Sequence, residues 1–106
     1  MAKYLFHGNY TQEGLKGLLK EGGSSRREAV KQALKGLGGS LDVFYYGYGD
    51  TDVFCIADLP DTVSSIALSL IVNAAGTSKI KTTVLITPEE VDQAAKKSVE
   101  YRPPGQ

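Results

Sequence analysis

An α+β fold, with helices on one side of a four-stranded sheet, follows from two features of this 106-residue chain. The first is the order of its periodicities. Two-residue and 3.6-residue apolar patterns succeed one another as β-α-β-β-α-β, with one more short helix at the end. The second is the stretch from 41 to 58, which reads as two strands joined at Gly49-Asp50-Thr51 and is apolar on both faces. Phe44, Tyr46 and Tyr48 alternate with Leu41, Val43 and Tyr45 in the first strand. Phe54 and Ile56 alternate with Val53, Cys55 and Ala57 in the second. Side chains alternate sides along a strand, so a half-buried strand is polar on one face. Here both faces need cover. A chain of this length supplies one layer of helices, and the expected second cover is another copy of the protein.

Each element has a local reason. Residues 3 to 9 alternate, with Tyr4 and Phe6 on one face and Leu5 and His7 on the other. Thr11 is placed to cap a helix carrying Leu15, Leu18 and Leu19, weakened by Gly14 and Gly17 and ended at Gly22-Gly23. Ser25 and Glu28 have the spacing of a capping box, ahead of a stripe formed by Val30, Ala33, Leu34 and Leu37. Gly38-Gly39 stops that helix. After the strand pair, Pro60-Asp61 opens a helix whose apolar stripe is Val63, Ile66, Ala67, Leu70, Ile71 and Ala74, closed by Gly76. Residues 79 to 86 read as the last strand, with Ile80, Thr82, Val84 and Ile86 on one side. Thr87-Pro88-Glu89-Glu90 combines a capping threonine, proline at the first helical position and a glutamate that reaches back. That helix fades near Lys97, and residues 98 to 106 read as a loosely ordered tail. Two right-handed crossovers of this split type give the ferredoxin-like arrangement, a four-stranded antiparallel sheet with both main helices on one face. Residues 1 to 106 are expected to form a single domain.

Composition narrows the function classes. Twelve basic residues balance twelve acidic ones, so no net field favours nucleic acid or an anionic membrane. Arg26, Arg27, Lys31 and Lys35 have the spacing of a solvated helix face. The aromatic central strands share their order with RNA-binding sheets, but basic residues do not accompany them. The single cysteine, Cys55, sits mid-strand among apolar neighbours and excludes an internal disulfide or a cysteine metal cluster. No apolar run is long enough to cross a bilayer, and no signal peptide is expected. A cytoplasmic protein is expected. Gly47-Tyr48-Gly49 lacks the third glycine and the helix of a dinucleotide fingerprint, and no phosphate loop, His-Glu metal motif or nucleophile elbow occurs. No cofactor and no metal are called for.

Asn9-Tyr10-Thr11-Gln12-Glu13-Gly14, Gly38-Gly39, Gly49-Asp50-Thr51-Asp52-Val53, Pro60-Asp61 and Lys81-Thr82-Thr83 occur in an order and spacing that resembles the GYD domain family, over about residues 3 to 86. The resemblance implies a dimeric α/β barrel, in which two ferredoxin-like sheets face each other. Gly49, Thr51 and Asp52 fall on the family's Gly-x-Tyr-Asp element, with threonine in the tyrosine's place. The resemblance supplies a fold and an assembly more than an activity, because the wider barrel superfamily includes oxygenases, isomerases and pure binding modules.

Candidate chemistry rests on few side chains. His7, the only histidine, is a candidate general base, since imidazole titrates near neutrality. Asp52 could orient it or take a proton in an apolar cavity. Their bland alternatives are a strand-end histidine bonded to backbone or solvent, and an aspartate tying down turn amides. Tyr45, Tyr46, Tyr48 and Phe54 are candidates to line a pocket for a small apolar or aromatic ligand, or to seal an interface. The expected function is a homodimeric small-ligand-binding or structural barrel module, associating through the open sheet face. The alternative is a cofactor-independent oxygenase or isomerase acting on a small aromatic or enolisable substrate in the barrel.

Overall fold

A computed structural model describes residues 1–47 and 49–106. Tyr48, placed by the alternation beside Phe44 and Tyr46, lies outside the described residues. The elements are β1 (Ala2–Tyr10), α1 (Gln12–Glu21), α2 (Gly23–Gly36), β2 (Ser40–Tyr46), β3 (Val53–Leu59), α3 (Thr62–Ala74), β4 (Ser78–Leu85) and α4 (Pro88–Ala95). The strands form one antiparallel sheet in the order β2-β3-β1-β4. Each β-α-β connection therefore steps over one strand, which is the expected ferredoxin-like arrangement.

The register sorts the sheet into two faces. Under the helices lie Phe44, Cys55, Phe6 and Thr82 in one row across the four strands, and Leu41, Ala57, Tyr4 and Val84 in the next. Tyr4, Phe6, Cys55, Ala57 and Leu59 are buried there with Leu34 of α2 as the core. On the open face the rows are Tyr45–Phe54–His7–Lys81 and Val43–Ile56–Leu5–Thr83. One correction concerns Leu41. Alternation groups it with Val43 and Tyr45, but the pairing slips between Leu41 and Val43. This bulge inserts one extra residue and reverses the parity of the strand. Leu41 thus joins the core, while Asp42 meets Lys3 at 2.7 Å on the other face.

The first crossover is two helices rather than one continuous rod. Thr11 caps α1, its hydroxyl accepting from Gly14 N. At Gly22 the backbone turns to φ 88°, a conformation that L side chains resist, and α2 starts at once. Ser25 and Glu28 consequently lie inside α2, which has no side-chain cap, so the expected capping box does not form. The far end follows expectation: Gly38 N and Gly39 N donate to the Lys35 and Leu34 carbonyls at 3.0 and 2.9 Å, the paired closure typical of a glycine-terminated helix. At α4 the threonine box is complete, with Glu90 N donating to the Thr87 hydroxyl and Thr87 N to the Glu90 carboxylate.

Gly14 does more than weaken α1. A Cβ there would run into the Thr77 carbonyl oxygen, whereas a Cβ at Gly17 meets open space. The two glycines should respond oppositely to alanine. Gly14→Ala is expected to cost about 1–3 kcal/mol through forced displacement of α1. Gly17→Ala should stabilise the protein by about 0.5–1 kcal/mol through helix propensity. Urea unfolding of both variants checks this, and equal shifts would contradict the packing of α1.

Helix α3 turns a different side to the sheet from the one expected. Its stripe of Val63, Ile66, Leu70 and Ile71 is exposed, with Val63 at 75% and Leu70 at 65%. Ser65 is instead fully buried, and Leu68 packs against the core. The helix is apolar nearly all round, so periodicity alone does not select its inner side. Ser65 can be buried because its hydroxyl donates to the Thr62 carbonyl at 2.7 Å. Thr62 in turn shares a 3.2 Å hydrogen bond with the buried Tyr4 hydroxyl. Asp61 caps the helix, accepting from Ser64 N at 2.7 Å, and this bond holds its carboxyl below the usual carboxylate range. Among the described residues no helix is long and apolar enough to cross a membrane.

Candidate functional site

Two clefts open on opposite faces of the sheet. The larger, about 450 Å³, lies between the sheet and the helices. Phe6 and Cys55 come from the centre of the sheet, Phe44 from β2, Leu18 from α1, Val30 from α2, and Leu68 and Val72 from α3. It exists because α2 covers the β2 side and α3 the β4 side, leaving apolar sheet between them. Arg26, Glu13 and Glu21 stand at its rim, with Arg26 bonded to Glu21 at 3.3 Å. Tyr10 is among the lining residues. Burial pushes its ionisation up, and the adjacent Tyr46 adds to the shift.

Cys55 is the one thiol in this wall. Burial pushes it up to about 11, against a smaller opposing contribution from a hydrogen bond to the Phe6 backbone. The thiolate is the nucleophile, so at about pH 8 iodoacetamide should alkylate Cys55 roughly two orders of magnitude more slowly than a free cysteine. Denaturant should restore the ordinary rate. Equal rates with and without denaturant would show that the thiol is not buried as described.

The smaller cleft, about 350 Å³, lies on the open face at the hairpin end of β1. It is lined by His7, Asn9, Asp50, Thr51, Lys79 and Lys81 among others.

The residues singled out by sequence do not converge on one site. His7 lies on the open face, its ring parallel to that of Phe54 (8° between planes, centroids 6.5 Å apart). Asp52 does not engage it. The Asp52 carboxylate accepts from Tyr10 N at 3.1 Å, and its backbone N–H donates to Asn9 Oδ1 at 2.8 Å and to the Gly8 carbonyl. It therefore ties β1 to the start of β3, a bond between strands and not the expected one to the amides of its own turn. Tyr45 lies beside Phe54 on the open face. Tyr46 points the other way, its hydroxyl donating to the Gly23 carbonyl at 3.1 Å and its ring edge-on to Phe44. Neighbouring residues of a strand face opposite sides, so Tyr45 and Tyr46 cannot share a pocket. Among the described residues no three His, Cys, Asp or Glu side chains converge to hold a metal ion.

Three site residues escaped the sequence reading. Tyr10 is the last residue of β1, and parity with Tyr4 and Phe6 sets it on the helix side of the sheet. Lys79 and Lys81 were legible in principle: assigning Ile80 and Thr82 to the core side leaves both lysines on the other. Their meeting with His7 and Asn9 depends on β1–β4 register.

The GYD domain model matches residues 4–95. No curated protein and no solved structure matches the chain. A family match spanning most of the chain, together with the observed strand order, gives the conclusion that the chain belongs to the GYD domain family.

Proposed function

We propose that the protein is a homodimeric binding module whose sheets face each other and whose helix-side cleft takes a small, neutral, apolar or aromatic molecule. The cleft itself carries this reading. Phe6, Phe44, Val30 and Leu68 offer apolar walls, and Tyr10, Thr77 and Ser78 are among the few polar residues of the lining, the usual make-up of a small-molecule site. The rim does not favour a charged ligand, since Arg26 is already paired with Glu21. Support for association comes from the open face, where Tyr45, Phe54, Val43, Ile56 and Leu5 form a contiguous apolar centre. Lys3 lies at one end of it, bound by Asp42 and Asp58 at 2.7 and 3.1 Å. An apolar centre with a polar rim is the common anatomy of a protein interface.

The alternative of a cofactor-independent oxygenase or isomerase draws on His7 against Phe54. It lacks a partner for the base, because Asp52 is committed to the Tyr10 amide. Among the residues lining the helix-side cleft, Tyr10 and Cys55 are both shifted away from deprotonation. Binding is thus better supported than turnover. Titration with N-phenyl-1-naphthylamine, a neutral apolar dye that brightens out of water, tests the reading. Saturable brightening is expected, with loss in Ala33→Trp, which would fill the cleft from α2. Absence of binding, or equal binding by the variant, would overturn it.

A further inference from the structure

The open-face cleft has a different chemistry from the helix-side one. Lys81 is the direct cross-strand partner of His7, and Lys79 of Asn9. Such pairs project from one face about 4.5–5.5 Å apart at Cβ. Among the described residues neither lysine forms an ion pair, whereas Lys3 on the same face has two carboxylates. Asn9 spends its carbonyl oxygen on the Asp52 amide, which leaves its NH2 group as a donor. Thr51 adds a hydroxyl. One acceptor, Asp50, lines the same cleft and offsets one of the two ammonium charges. The balance is a donor-rich pocket with one surplus positive charge while His7 is neutral. That suits a monoanion better than a dianion. Beside Lys81 in the same row stand His7, Phe54 and Tyr45, with the first two rings parallel.

We infer that this cleft binds a small aromatic carboxylate. The carboxylate lies between the Lys79 and Lys81 ammonium groups, and the ring rests against His7, which lines the cleft. Charge-assisted hydrogen bonds from the lysines hold the anion, and offset ring contacts hold the rest. The site is built by one chain, so it does not rest on the proposed dimer or on the helix-side ligand. In the dimer the bound anion would also neutralise lysines that a second sheet removes from water.

Calorimetric titration with benzoate, its neutral analogue benzamide and inorganic phosphate tests the assignment. In Ala33→Trp, whose helix-side cleft is filled, benzoate should bind saturably, with benzamide about tenfold weaker through the loss of one charge-assisted hydrogen bond and phosphate severalfold weaker for want of the ring contacts. Lys81→Gln should weaken benzoate about tenfold by the same argument. Thr51→Tyr, which keeps every charge but fills the cleft, should weaken it as well. Ala33→Trp should leave benzoate binding unchanged, which separates this site from the helix-side one. Equal affinity for benzoate and benzamide, tighter binding of phosphate, loss of benzoate binding in Ala33→Trp, or no effect of Lys81→Gln and Thr51→Tyr would each overturn it. Lys81 is exposed, so Lys81→Gln should leave the fold intact.

Discussion

Leu34→Ala is expected to destabilise the protein by about 2–5 kcal/mol, measured as a fall in the urea midpoint. Leu34 is fully buried between α2 and the sheet, against Tyr4, Phe6, Cys55, Ala57 and Leu59. The loss includes the buried methyl groups and the cavity that remains, because α2 is pinned at its end by the hydrogen bonds of Gly38 and Gly39 and cannot collapse inward. Against a typical total of about 5–15 kcal/mol, that is a large fraction. Leu70→Ala, on the exposed side of α3, is the matched control and should change stability by less than about 0.5 kcal/mol. Comparable losses at the two leucines would mean that α3 presents its Val63–Ile66–Leu70 side to the sheet after all.

Phe54→Asp should abolish association while leaving the fold intact. Phe54 is 39% exposed and lies between Tyr45 and His7 on the open face. In the proposed dimer an aspartate there would be an unpaired charge at the centre of the interface. Such a charge costs several kcal/mol, roughly a thousandfold or more in Kd. Leu70→Asp should have no such effect. If Leu70→Asp dissociates the dimer and Phe54→Asp does not, the interface lies on α3. Light scattering reads the mass, and far-ultraviolet dichroism verifies that each variant is folded.

Short-range chemistry was the most legible part of the chain. The Thr87–Glu90 box, the Thr11 cap, the helix start at Pro60-Asp61 and the Gly38-Gly39 stop each depend on residues within a few positions, and each forms. The Ser25–Glu28 pattern failed for an equally local reason. A helix that begins directly after Gly22 has already passed Ser25 by the time a cap is needed. Longer-range features were less legible. The bulge at Leu41–Val43 depends on pairing with β3, and nothing in the alternation of β2 announces it. The inner side of α3 was hidden because serine is not counted as a core residue, although Ser65 satisfies its own hydroxyl within one helical turn. For the candidate site, alternation sets Tyr45 and Tyr46 on opposite faces of β2, which splits the expected pocket, while the placement of His7 beside Phe54 depends on β1–β3 pairing. Alternation did not reveal either cleft, since both depend on where α1, α3 and the β3 hairpin end settle over the sheet.

The central claim is that a second copy covers the open face. Tyr45, Phe54, Val43 and Ile56 give the sheet an apolar surface that α2 and α3, both on the opposite side, do not cover. Sedimentation equilibrium of the unaltered protein at about micromolar concentration tests this most directly. The account predicts a mass of about twice the 11.4 kDa of one chain, and a single species at the mass of one chain across the concentration range would contradict it.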